Sequence, residues 1–229
     1  FSSPCNPTGS VYSKEELAGL VEVFERHPNI FILSDEIYEH INFVDKHVSI
    51  AEFKSIKERV IIVNGFSKAF AMTGWRLGYI AASKELAIAN EKMQGQTTSG
   101  TCSISQRAGI AAYEQGLESV LEMKKAFARR RELVYNLLND IPGVKTNLPD
   151  GAFYFFPEIS SYFGKKDSNG NEIKNSADLA LYLLNVGHVA TVGGDSFGNN
   201  NYIRISYAAS DENLIEALKR IKEALSKLS

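Results

Sequence analysis

The run Val60-Ile61-Ile62-Val63-Asn64-Gly65-Phe66-Ser67-Lys68-Ala69-Phe70, with Gly74-Trp75-Arg76-Leu77-Gly78-Tyr79-Ile80-Ala81-Ala82 after it, decides the fold. Val60–Val63 is an unbroken β-branched stretch, which predicts a buried strand rather than one with a polar face. It stops at the turn pair Asn64-Gly65. Gly78–Ala82 is another apolar run. The connection between the two contains Gly65 and Gly74 and no convincing helix. A parallel return would need a proper crossover. Gly78–Ala82 is therefore predicted to run antiparallel to its neighbour.

Upstream, Ser13-Lys14-Glu15-Glu16 is a capping box. It opens a helix through about Arg26, with Leu17, Leu20, Val21 and Phe24 on one face and His27-Pro28-Asn29 as its stop. Ile30-Phe31-Ile32-Leu33 follows a helix and reads as a buried parallel strand ending at Ser34-Asp35-Glu36.

Downstream, Leu117 to Leu138 reads as a long helix ended by Pro142-Gly143, with Arg129-Arg130-Arg131 on a solvated face. Gly151–Phe156 and Tyr202–Tyr207 read as strands, and Asp167–Asn171 as a polar turn. One helix starts at Ser176, and a last one from about Asp211 carries Leu214, Leu218, Ile221, Leu225 and Leu228 on one stripe. The expected class is α/β for residues 1–118, joined through the long helix to a smaller α+β domain over 119–229.

The chain has 229 residues, 44% hydrophobic and 23% charged, which suits a globular protein and excludes a disordered tail. Lys and Arg number 25 against 27 Asp and Glu. That near-neutral balance carries no nucleic-acid footprint. No apolar run approaches the roughly 18 residues of a membrane span. Cys5 and Cys102 form no CxxC pair, so the reading is a reducing cytoplasm without a disulfide framework or zinc site. His40 and His47 form no metal pattern. Phe1-Ser2-Ser3-Pro4 lacks an initiator Met and signal-peptide features, and reads as the end of a strand whose upstream sequence is absent.

Three side chains are candidates for chemistry. Asp35 follows a buried strand, at the strand end where open α/β sheets place ligands. Lys68 sits among Phe66, Ala69 and Phe70, apolar company that favours a nucleophilic amine. Arg76 precedes the antiparallel strand, which brings it to the same sheet edge. Taken singly, Asp35 also reads as a turn-former and Lys68 as a snorkelling surface lysine. Together, a carboxylate, an amine and a guanidinium suit a phosphorylated aromatic aldehyde: imine, ring-nitrogen partner and phosphate clamp. Pro4-Cys5-Asn6-Pro7-Thr8-Gly9 is a rigid turn able to aim an amide, or an ordinary loop into the capped helix.

Asn6-Pro7-Thr8-Gly9, Ser34-Asp35-Glu36-Ile37-Tyr38, Ser67-Lys68-Ala69-Phe70 with Gly74-Trp75-Arg76-Leu77-Gly78-Tyr79, and Tyr202-Ile203-Arg204-Ile205-Ser206 occur in that order. This order resembles the signature of class I/II aminotransferases, the fold type I pyridoxal-phosphate enzymes, and of their aspartate-aminotransferase-like branch. The resemblance implies part of a mainly parallel sheet with one antiparallel strand, plus a small C-terminal domain. It implies pyridoxal 5'-phosphate held by Lys68, with Asp35 on the ring nitrogen, Asn6 and Tyr38 on the ring 3′-oxygen, and Ser67 and Arg76 on the phosphate. Arg204, with Asn6, would take the substrate carboxylate. The implied reaction is amino transfer from an L-amino acid, aspartate, to a 2-oxo acid such as 2-oxoglutarate, in a cytoplasmic homodimer with neither nucleic acid nor membrane as partner.

Family members are longer at the front, so the chain is expected to be a C-terminal fragment that by itself binds the cofactor poorly and has little or no turnover. The rival readings are a related pyridoxal-phosphate lyase or aromatic aminotransferase, and the aminotransferase-like ligand domain of a transcriptional regulator. Gly193–Gly198 is expected to be a mobile loop near Arg204 rather than a nucleotide site.

Overall fold

A computed structural model describes residues 1–44 and 46–229. The chain divides into two compact units. The first comprises Phe1–Cys5, Ser10–Lys124 and Asp150–Ala152; the second comprises Asn6–Gly9, Lys125–Pro149 and Phe153–Ser229.

In the first unit, α1 (Lys14–Arg26) begins at the predicted capping box, with Ser13 Oγ accepting from the Glu16 amide and the Glu16 carboxylate from the Ser13 amide. Such a cap contributes about 1 kcal/mol. Leu17 and Val21 bury their side chains against Ile32, Ile50, Ile56 and Val60. The strands β1 (Ile32–Asp35), β2 (Val60–Gly65) and β3 (Gly78–Ala81) form a sheet in that order. β1 and β2 are parallel, with Asp35 beside Val63; β2 and β3 are antiparallel, with Gly65 beside Gly78. The short connection thus reverses direction, as its lack of a crossover helix requires.

Two expectations for β1 need correction. The strand starts at Ile32 rather than Ile30, and it is buried on one face only. Ile32 is 3% exposed, but Phe31 is 61% and Leu33 54% exposed. Alternation explains this: α1 covers the Ile32 face, and Leu33 points the opposite way.

A helix α2 (Lys84–Thr97) follows β3. The sequence reading missed it. No residue of α2 is buried, so it has no apolar stripe to read. The helix α3 (Ser103–Glu114) packs on the β2–β3 connection, and α4 (Glu118–Asn139) is the predicted long helix.

In the second unit, β4 (Tyr154–Phe155), β5 (Val192–Gly193) and β6 (Ile203–Ser206) make an antiparallel sheet ordered β4-β6-β5. The helices α5 (Ser176–Gly187) and α6 (Asp211–Leu225) pack with it, and the leucine stripe of α6 is buried as expected. β4 is shorter than the predicted Gly151–Phe156 because Ala152 takes a left-handed φ of 56°, which breaks the extended run. The arginine triplet is also not a solvated face. Side-chain exposure is 62% for Arg129 but only 23% for Arg130 and 13% for Arg131. Arg129 and Arg130 both donate to Asp211 at the start of α6, and Arg131 donates to the Pro149 carbonyl. A carboxylate at a helix N-terminus faced by two guanidiniums is a favourable arrangement of charge.

Candidate functional site

The C-terminal ends of β1 and β2 carry the central residues. Glu36 N–H donates to Val63 O at 2.9 Å, which carries the parallel ladder one residue past Asp35. Asp35 is half-buried, and its Oδ1 accepts from the Ile37 amide at 3.2 Å. Residues 1–3 bind its backbone: Asp35 N–H donates to Phe1 O, and Ser3 N–H to Asp35 O. Three residues on, Tyr38 is 3% exposed. The Lys68 ammonium lies over its ring, 5.7 Å from the centroid.

Lys68 stands in a turn immediately after β2. An aromatic cluster holds that turn. Phe66 packs on Phe70, Tyr79 and Tyr113, with centroids 5.4, 6.2 and 4.9 Å away. Tyr113 OH donates to Tyr79 OH at 2.9 Å, and burial with this bond raises the Tyr79 phenol well above its ordinary value. Ser105 of α3 donates to Trp75 O at 2.8 Å, fixing the far side of the connection.

Arg76 reaches the same edge through backbone register. One further bond, Phe66 N–H to Leu77 O at 3.2 Å, extends the β2–β3 contact to the residue after Arg76. The approach is close enough to require glycine. A Cβ on Gly65 would stand 2.8 Å from Gly78 Cα and 2.9 Å from Leu77 O. Arg76 itself is exposed, has a left-handed φ of 52°, and donates to Thr73 O at 2.9 Å. It lines a cleft of about 560 Å³ with Val63, Asn64, Tyr79 and Gln94. Neither Asp35 nor Lys68 lines that cleft.

Arg204 and Asn6 meet in the second unit. Arg204 Nη1 donates to Asn6 Oδ1 at 2.9 Å, and its guanidinium lies 4.6 Å from the Tyr154 ring and 4.9 Å from the Phe197 ring. Phe197 comes from the Gly193–Gly198 stretch, which folds as a 3₁₀ turn over Gly194–Phe197. Two aromatic faces hold the planar guanidinium in place.

The sequence reading missed a buried polar network behind Asp35. Glu36, 4% exposed, accepts from Ser34 Oγ at 3.0 Å and Ser49 Oγ at 2.9 Å, and His47 Nε2 lies 3.0 Å from its second oxygen. No local periodicity announces such a group; a carboxylate in a strand core is its one sequence signal. Among the described residues, no cluster of His, Cys, Asp and Glu is placed to hold a metal ion, and no helix is long and apolar enough to cross a membrane.

Comparison with known proteins gives these observations a family. Residues 1–221 match the model of aminotransferase class I and II, and the chain belongs to that family. It is 48% identical over 227 residues to an aspartate aminotransferase of Pinus pinaster, covering 97% of this chain and 46% of that protein. It is 49% identical to a bifunctional aspartate aminotransferase and glutamate/aspartate-prephenate aminotransferase of Petunia hybrida, covering 97% and 47%. The crystal structure of the aspartate aminotransferase from Rhizobium meliloti superposes with a TM-score of 0.94 at 43% identity, over all of this chain and 58% of that one. The chain thus spans about half the length of the relatives it matches.

Proposed function

We propose that this chain is part of a pyridoxal-phosphate-dependent aminotransferase that transfers an amino group from L-aspartate to a 2-oxo acid such as 2-oxoglutarate. The observation that carries the reading is one sheet edge in the first unit. It ends in the Asp35 carboxylate and continues into the Lys68 turn, with the Lys68 ammonium over Tyr38. The donor set there — carboxylate, amine, phenol, hydroxyl and, through register, guanidinium — matches the chemistry of pyridoxal phosphate. The relatives' names support the amino-acid class.

In this reading Lys68 binds the cofactor's aldehyde carbon. Bound there, the cofactor supplies an amine-exchanging carbonyl and a ring that withdraws electrons from the substrate Cα. Asp35 holds a proton on the ring nitrogen, since a nearby carboxylate favours the charged form. Tyr38 would hydrogen-bond the ring oxygen. Ser67 and Arg76 hold the phosphate, Arg76 as a bidentate donor once it leaves Thr73 O. Arg204, bonded to Asn6 and close to the Tyr154 and Phe197 rings, would take the substrate carboxylate. Lys68 would also be the base that takes up the proton at substrate Cα. A positioned base of this kind contributes about 10²–10⁴-fold in rate.

We read residues 1–118 as the C-terminal part of a large cofactor-binding domain and 119–229 as the small domain, in a cytoplasmic homodimeric parent. Aspartate is the preferred donor. A second reading, with prephenate or an aromatic 2-oxo acid as acceptor, is favoured by the Petunia hybrida name and by a solved aromatic aminotransferase from Pyrococcus horikoshii at TM-score 0.88 and 39% identity.

The test is to mix the protein with pyridoxal phosphate, reduce with borohydride, and map the peptide that gains mass. The expected site is Lys68, with no gain in Lys68→Ala. Label spread evenly over surface lysines would remove the basis of the proposal.

A further inference from the structure

Glu36 is the least expected residue of the first unit. It is a carboxylate at the end of a strand, 4% exposed, and burying such a group is costly unless its oxygens are satisfied. Each oxygen has a polar neighbour. Oε1 accepts from Ser34 Oγ at 3.0 Å and from Ser49 Oγ at 2.9 Å. His47 Nε2 stands 3.0 Å from Oε2, placed to donate. Ser49 is itself held, because its hydroxyl accepts from the Ala51 amide at 3.2 Å and caps the 3₁₀ turn Ile50–Glu52. Glu36 therefore ties the end of β1 to the 47–52 segment from inside the protein.

Strand alternation sets what this does. Ser34 and Glu36 share one face at the end of β1, and Asp35 between them points to the other. Glu36 N–H is bonded to Val63 O, and Asp35 N–H to Phe1 O, so the backbone on both sides of Asp35 is anchored. The Asp35 side chain has one internal bond, from the Ile37 amide at 3.2 Å, and among the described residues its second oxygen has no partner. A carboxylate with one oxygen steered by backbone and one open is arranged to hold a ligand N–H.

We infer that Glu36 is a positioning residue for Asp35: its buried carboxylate, gripped by Ser34, His47 and Ser49, fixes the strand end that aims Asp35 at the ring nitrogen of the cofactor. The inference rests on the role proposed above for Asp35. Glu36 touches no reacting atom in this scheme. It acts through the backbone it immobilises.

The test compares wild type with Glu36→Gln, which keeps the volume and removes the charge, and with Ser49→Ala, which removes one of the bonds. Each is titrated with pyridoxal phosphate and with its analogue carrying CH in place of the ring nitrogen. The Ile37 amide resonance is followed in the cofactor-free protein. Wild type should favour pyridoxal phosphate over the analogue by tenfold or more. Glu36→Gln should compress that ratio at least threefold; Ser49→Ala, which leaves the sequence neighbours of Ile37 unchanged, should compress it to a lesser degree and shift the Ile37 amide. A merely structural role lowers both affinities together and leaves their ratio unchanged, which overturns the inference. If Glu36→Gln fails to fold, Ser49→Ala decides by the same ratio. If wild type binds neither compound, the cofactor reading is what fails. An unmoved Ile37 amide in folded Ser49→Ala then disposes of the positioning role as well.

Discussion

The Lys68 ammonium lies over the face of Tyr38, 5.7 Å from its ring centroid, and that ring is 3% exposed. The amine is thus held over a rigid aromatic floor at the edge of the sheet. A cation over a ring gains about 0.5–2 kcal/mol, depending on how far water is excluded.

Ring and hydroxyl of Tyr38 can be separated. Tyr38→Phe keeps the floor under Lys68 and should cost at most about 1.5 kcal/mol of stability, the net worth of a hydrogen bond. Tyr38→Ala removes the ring and should cost about 3–5 kcal/mol by leaving a cavity. Urea unfolding of the two variants checks the order. Equal losses would mean that the hydroxyl, not the ring, does the holding.

Gly65 marks where β2 and β3 approach most closely. A Cβ there would meet Gly78 Cα at 2.8 Å, and backbone cannot swing aside. Gly65→Ala should destabilise by about 1–3 kcal/mol, in the range of overpacked sites. Gly74→Ala, with nothing within 4 Å of the added carbon, should be neutral or slightly stabilising. Denaturation midpoints measured side by side give the answer. The Gly65 variant should also bind pyridoxal phosphate more weakly, because Lys68 follows β2 and Arg76 precedes β3 within three residues of this contact.

Arg204→Lys should behave as a drastic change. Lysine cannot offer a planar cation to Tyr154 and Phe197, nor present two parallel donors to a carboxylate. Affinity for a substrate carboxylate should fall more than tenfold, with pyridoxal phosphate binding nearly unchanged. Calorimetric titration with a dicarboxylate reads the first quantity. Unchanged binding would place the carboxylate elsewhere.

Asp211 gives the second unit an acid-sensitive joint. Hydrogen bonds from Arg129, then Arg130, hold its carboxyl down at about 2, below the ordinary 3.8. A depressed carboxyl stabilises the fold fully above the ordinary value, and the contribution fades as pH falls from about 4 through about 2. Asp211→Asn should therefore lower Tm relative to wild type at pH 6, and the gap should close between pH 4 and pH 2. A gap that stays constant across that range would contradict the assignment. Salt should narrow it at pH 6, because the pair is at the surface.

Legibility in the sequence follows the distance over which each feature is encoded. The capping box of α1, the antiparallel turn of β3 and the α6 stripe depend on residues within a few positions of one another, and all were readable. α2 was not, since a helix that buries no residue has no periodic signal. The site's residue types were readable as ordered motifs. Their meetings were not: Arg129, Arg130 and Arg131 read as a solvated run until Asp211, about eighty positions away, took two of them.

By itself, the sequence determined most of the strands and helices, the reversal between β2 and β3, and the order of the motifs that carry Asn6, Asp35, Lys68 and Arg204. Propensity, capping and chain connectivity are local properties, so they survive without a partner in space. Only tertiary structure decided that Glu36 closes on His47 eleven residues away, that Arg204 reaches Asn6 across 198, and that just one face of β1 is covered. Those contacts arise when distant segments share a surface, and the energy of a buried carboxylate or a stacked guanidinium depends on what the fold sets against it.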